Sequence, residues 1–268
     1  MHKLSLSLAW DETRMVLARD GRLFIAVALA LFVLPGVVLG VVVPEAKNAG
    51  EMPAAGAWMV VAVIALIVSL AGQLAVIRLS IGPHVSVGEA IVHGAKRLLP
   101  YIAAVLIWVV PILVIGSVLY ASLATNAQHP SAAAGLALIA LSVVGFFLAV
   151  RMILASAVAG AEPLGPIAIV RRSWQLTNGN WWRLLAFLIL FAIGALCLLY
   201  AVEAVFGLLA QMMFGDLGPL TLGSLLVALV SQLVSATLTV LFFVMIARIY
   251  VQRSGQAAAP PSVPSSGA

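Results

Sequence analysis

The sequence predicts an all-α polytopic membrane protein: six transmembrane helices arranged as three hairpins, each preceded by a short interfacial amphipathic helix. Three observations carry that prediction. The first is composition. Of the 268 residues, 64% are hydrophobic and 9% are charged, and the mean hydropathy is +1.19. A soluble domain carries roughly 25% charged residues, so this chain could not cover a globule with wetted surface. The second is segment length. Six apolar runs, 23–43, 57–79, 99–123, 132–154, 184–204 and 222–249, reach the roughly 20 residues that cross a hydrocarbon core of roughly 30 Å. The third is the placement of cations. Every Lys and Arg except Lys47 falls in alternate connections: the leader, the link between runs two and three, the link between runs four and five, and the end of run six. The positive-inside rule then puts both termini in the cytoplasm, and a miscounted helix would scramble the alternation.

Each run must be helical, because lipid offers no partner to an unpaired backbone N–H or C=O. The period-2 alternation of a membrane barrel is absent. The first run follows a leader that contains Asp11, Glu12 and Asp20, and it exceeds the roughly 7–15 apolar residues of a signal peptide. It therefore reads as an uncleaved span. Residues 1–253 form one six-helix membrane domain. Residues 254–268, rich in Ala, Pro and Ser, read as a disordered cytoplasmic tail. The location implied is a bacterial inner membrane, crossed several times.

The three basic connections resemble one another. Each opens with a two-sided stretch, then a turn signal (Asp20-Gly21, His93-Gly94, Asn178-Gly179), then Arg-Leu (Arg22-Leu23, Arg97-Leu98, Arg183-Leu184). Glycine after a helix supplies the left-handed conformation of a C-terminal stop cheaply. Arg78, Arg151 and Arg248 close the even-numbered runs. Pro35 and Pro111 follow Arg22 and Arg97 at matching distance, which predicts bends at similar depth; Gly194 stands near that position in the third unit. The simplest account is an internal repeat of three hairpin units. In the second unit Val87, Ala90, Ile91, Ala95 and Leu98 share a face, with Glu89, His93, Lys96 and Arg97 toward the other. Such a helix lies along the membrane surface with its cations near lipid phosphates. Arg22, Arg97, Trp174, Trp181, Trp182 and Arg183 are the predicted interface anchors, the tryptophans forming an aromatic belt.

Two stretches carry a family resemblance. RRSWQLTNGNWWRLL at Arg171–Leu185 and LAWDETRMVLARDGRLFIAVALALFVLP at Leu8–Pro35 resemble the bacterial six-helix proteins named after the glycerophosphodiester phosphodiesterase membrane domain, and related uncharacterised inner-membrane families. The resemblance covers residues 5–252. It implies the membrane module alone, because the soluble barrel fused to some relatives takes about 250 residues of its own. It brings no catalytic residue with it.

The chemistry is sparse. His2, His84, His93 and His129 make no metal-binding motif, and His93 reads as solvated. The lone Cys197 excludes an intrachain disulfide and reads as a small packing residue. No GxSxG or P-loop sequence occurs. Glu203 is the carboxylate nearest to a span interior, at the far end of span five, where it reads as solvated. No enzyme activity, cofactor or metal is expected. Nucleic acid is excluded as a partner despite the net charge of +5, because the cations form no block that would track phosphates. The one polar face within a span comprises Gln232, Ser235 and Thr239, with Ser231 and Thr237 nearby and Gln73 as a counterpart in span two. Such residues commonly hydrogen-bond between packed helices; the alternative is that Gln73, Gln232, Ser235 and Thr239 line a cavity for an amphiphile. Two roles follow as expectations. One is binding, organising or moving membrane lipids or other amphiphiles. The other is a structural or partner-binding subunit held by another membrane protein.

Overall fold

A computed structural model describes residues 5–44, 53–82, 85–125, 132–215 and 221–255, and among these there is no strand. The helices are α1 (Leu6–Ala28), a π turn (Leu29–Val33), α2 (Leu34–Val42), α3 (Trp58–Ile81), α4 (Val87–Thr125), α5 (Ala132–Met152), α6 (Ala155–Ala161), α7 (Pro166–Thr177), α8 (Trp181–Phe214) and α9 (Leu222–Ser254). Six helical stretches are long and apolar enough to cross a membrane. They pack as three consecutive hairpins: α1 and α2 with α3, α4 with α5, and α8 with α9. Helix α3 is the hub, meeting α1, α2, α4, α6 and α9. The expected tail, apart from Ser254 and Gly255, lies outside the described residues, as do His2, His84 and His129.

The core lies at one end. Val150 and Met152 are the buried residues of α5, at its last turn, and α2 has none. In α3 the run Gly72–Ile77 is buried, and in α9 the run Val244–Tyr250. This is also the basic end, where Arg248 and Arg253 meet the ends of other helices. Those contacts have one logic. The last carbonyls of a helix lack intrahelical partners, and here side chains from other elements supply them. Arg248 Nη2 donates to Ser80 O at the end of α3. The Ser173 hydroxyl donates to Arg151 O at the end of α5, at 2.9 Å. His93 Nε2 lies 2.9 Å from Gly160 O at the end of α6 and must donate, since a carbonyl only accepts. Arg253 donates to Leu176 O and Asn178 O, at 3.0 and 3.2 Å, closing α7. Glu162, in the link between α6 and α7, pairs with Arg172 at 3.1 Å and accepts from the Tyr250 hydroxyl at 2.6 Å.

The three turn signals have three different outcomes. Asn178-Gly179 is a turn: Gly179 has φ +77° and separates α7 from α8. Asp20-Gly21 is a kink, where Asp20 alone leaves helical geometry (φ −113°, ψ 17°) and α1 continues. His93-Gly94 is no stop at all. Gly94 is interior to α4 and buried at a helix crossing; a Cβ there would lie 2.7 Å from Ala71 O and 3.2 Å from Ala75 N of α3. Its missing side chain permits close approach, as small residues do between membrane helices. The next residues, Ala95, Lys96, Arg97 and Leu98, are good helix formers, so the helix runs on. The inward face of that stretch is accordingly Val87, Ala90, Ile91, Gly94 and Leu98, and Ala95, expected among them, is exposed. Its start is a capping box: the Ser86 hydroxyl accepts from Glu89 N while the Glu89 carboxylate accepts from Ser86 N at 2.9 Å.

Two further boundaries move. The fourth run breaks at Ile153–Leu154 and resumes as the buried α6. The fifth extends to Phe214, so Glu203 is inside a helix of 34 residues rather than at its end. It stands 22 residues beyond Trp181, about 33 Å along the axis at 1.5 Å per residue, which is still the far edge of a hydrocarbon core. The helix simply outlasts the apolar layer, and Glu203 is exposed there. The two prolines also differ. Pro111 lies within an unbroken α4, whereas Pro35 follows the π turn.

Candidate functional site

The π turn shapes the site. Pro35 has no N–H, so the carbonyl four residues earlier, Leu31 O, loses its normal partner. The chain widens into a π turn, with Leu34 N bonding to Leu29 O. The Ser69 hydroxyl of α3 points at the freed Leu31 O, at 3.4 Å. Gly36 leaves room beside this turn for a side chain from α9: a Cβ on Gly36 would lie 2.8 Å from Gln232 Cδ. Proline, serine and glycine thus open a place between α1–α2, α3 and α9 that a regular leucine-rich crossing would have filled.

A cavity of about 290 Å³ occupies that place, lined by Phe32, Ser69, Leu70, Gln73, Gln232, Ser235, Ala236, Thr239 and Phe243. The four residues expected as candidates, Gln73, Gln232, Ser235 and Thr239, all line it. Gln73 is buried, and its Nε2 donates to the Tyr101 hydroxyl of α4 at 3.1 Å. The Thr239 hydroxyl donates to Ser235 O one turn earlier, at 2.8 Å. The amide of Gln232 and the hydroxyl of Ser235 have no hydrogen bond among the described residues, and both are half-buried. Unspent donors and acceptors therefore face a half-open cavity whose other walls are aromatic and aliphatic. No lining residue is charged. The nearest basic groups on α3 and α9 lie at the basic end: Arg248, which donates to Ser80 O, and Arg78, which folds back over Gly82 with its Cζ 3.6 Å from the Gly82 Cβ position.

Sequence reasoning missed Ser69, Phe32, Gly36 and Tyr101. Ser69 carried a signal: it precedes Gln73 by one turn and so shares its face. Tyr101 and Gly36 carried none, because nothing local says which helices meet.

The predicted anchors divide. Arg22 is exposed, Arg97 half-buried, and Trp182 is 76% exposed. Trp181 turns inward, its ring 5.5 Å from that of Phe147 and 4.6 Å from that of Trp182. Trp174 is partly exposed and also caps a cation: the Arg151 guanidinium stands 4.9 Å from its ring and 5.3 Å from Phe147. Arg183 is exposed in the first turn of α8. His93, expected to be solvated, is half-buried on Gly160 O, because α6 packs beneath the stretch that carries it. Cys197 is exposed on the outer face of α8 instead of packing inside.

No curated protein and no solved structure matches the chain. One family does: residues 11–253, which take in all six apolar helices apart from the first turn of α1 and the last residue of α9, match the profile described as Domain of unknown function (DUF7847), and the chain belongs to that family.

Proposed function

We propose that the protein is a multi-pass protein of a bacterial inner membrane, basic end toward the cytoplasm, that binds, organises or moves lipids or other amphiphiles. The observation that carries this reading is the cavity between α1–α2, α3 and α9, where polar groups without partners face an apolar surround. Ligand sites take that form, mostly apolar with a few placed polar groups. A bond to α4 accounts for Gln73 and a bond within α9 for Thr239, but Gln232 and Ser235 are left without partners among the described residues. The exposed Trp174, Trp182 and Arg22 at the basic end fit contact with lipid headgroups. No catalytic step is part of this reading, and neither is a cofactor.

Purification of the full chain in a mild detergent, followed by native mass spectrometry, tests it. A lipid retained at a fixed ratio is expected, and substitution of Gln232 by Leu should reduce its occupancy. Lipid-free protein that instead carries a second membrane protein at fixed stoichiometry would replace this reading with that of a partner-binding subunit.

A further inference from the structure

The cavity also specifies the kind of amphiphile, an inference that rests on the lipid-binding reading above. Three properties of its wall matter: charge, depth and hydrogen-bonding inventory.

Charge comes first. Glutamine, serine and threonine are the only polar side chains on the wall, and none is ionised. A phosphate held there would be an anion in lipid without a counter-ion, which is costly. Depth points the same way. Gln73 precedes Arg78 by five residues, and Gln232 precedes Arg248 by sixteen. At 1.5 Å per residue the polar wall extends from about 8 Å to about 24 Å inside the basic end, within the apolar layer and away from the level where cations meet phosphates. The inventory is mixed. Gln232 offers two N–H donors and a carbonyl, Ser235 offers a hydroxyl, and the Oε1 of Gln73 accepts no bond from the described residues. Such a wall satisfies a group that both donates and accepts, such as a hydroxyl beside ester carbonyls. Phe32, Leu70 and Phe243 supply contact for the attached chains.

We propose that the cavity takes an uncharged lipid bearing a hydroxyl next to carbonyl groups, of which diacylglycerol is the simplest form, and that it discriminates against lipids carrying a phosphate.

The test is photo-crosslinking of the full chain in mild detergent, with a dioleoylglycerol analogue that carries a diazirine on one acyl chain. Unlabelled dioleoylglycerol and dioleoyl phosphatidylglycerol serve as competitors, and labelled residues are mapped by mass spectrometry. Saturable labelling of α1–α2, α3 and α9 around the cavity is expected. Dioleoylglycerol should compete about tenfold better than the phosphatidylglycerol of identical chains. Gln232→Leu should weaken labelling about five- to tenfold by removing the free amide, while Gln232→Asn keeps most of it. Ser235→Ala gives a second, smaller loss in a variant that removes a single oxygen. Thermal unfolding of each variant checks that it is folded. Equal or better competition by phosphatidylglycerol at the same residues overturns the preference for uncharged lipid and leaves lipid binding standing. Labelling unchanged in folded Gln232→Leu and Ser235→Ala overturns the assignment to this wall. Absence of saturable labelling by either lipid removes both this inference and the function it rests on.

Discussion

Replacing Gly94 by Ala tests the helix crossing that brings α4 onto α3. The added Cβ would lie 2.7 Å from Ala71 O and 3.2 Å from Ala75 N. Both atoms are backbone, so no rotamer change can relieve the clash. Ordinary contact begins near 3.4 Å, so the two helices must part by about half an ångström or more. Overpacking of that kind costs about 1–3 kcal/mol. A glycine-to-alanine exchange inside a helix also gains up to about 1 kcal/mol from propensity, which would hide part of the loss. Gly88→Ala provides the comparison. Gly88 lies in the first turn of the same helix with nothing within 4 Å of its Cβ position. Gly94→Ala should be less stable than Gly88→Ala by about 1–3 kcal/mol. Reversible unfolding in mixed micelles, following the loss of helical signal, measures both. Equal stability, or a more stable Gly94→Ala, would refute the close crossing and restore Gly94 as an ordinary helix-ending residue.

Other predictions concern the side chains that close the helix ends. Arg248→Met leaves Ser80 O without its donor and should cost about 1–3 kcal/mol in the same assay, with Arg248→Lys recovering part of it. Tyr250→Phe and Glu162→Ala should show a coupling of about 1.5–3 kcal/mol in a double-mutant cycle, since the hydroxyl donates to a carboxylate; additive losses would mean that the 2.6 Å bond contributes nothing. Ser86→Ala should speed hydrogen exchange at the Glu89 amide, whose acceptor it removes, while exchange at Leu106 stays slow. In a Cys197→Ala background, a membrane-impermeant maleimide should reach Ser7→Cys only from the cytoplasmic side and Phe214→Cys only from the other, and labelling of both from one side would overturn the orientation proposed for the bundle.

The spans were legible because lipid reduces the choice to one structure: an apolar run of sufficient length must be a helix. Ends were less legible. The fifth apolar run reads as ending at residue 204, where Glu203 raises the polarity, yet α8 continues to Phe214 because nothing after Glu203 breaks a helix before Gly215 (φ +78°). Glycine is the least legible residue type in this sequence. The same residue type marks a turn at Gly179, follows a kink at Gly21 and fills a crossing at Gly94, and only the tertiary neighbours decide among these. The repeat pattern does not reveal how each two-sided stretch joins its span, which is a kink at Asp20, an unbroken helix at Gly94 and a turn at Gly179. For the site, the i, i+3, i+7 spacing of Gln232, Ser235 and Thr239 put them on one face, and Gln73 was placed opposite on polarity alone. The space between them was not readable, since it depends on Pro35 and on Ser69 serving a carbonyl that the sequence does not reveal as orphaned.

The lopsided core has a consequence for how substitutions will behave. Where α2, most of α5 and the middle of α8 meet mainly lipid, a leucine exchanged for valine or methionine trades one hydrocarbon neighbour for another, because acyl chains are as apolar as the side chains they touch. Leu74→Val, Ile77→Val or Ile246→Val instead opens a void with fixed walls. Tolerance to mutation in α3, α5 and α9 will therefore change along the helix as well as around it, and a map that compares only helix faces would conceal it.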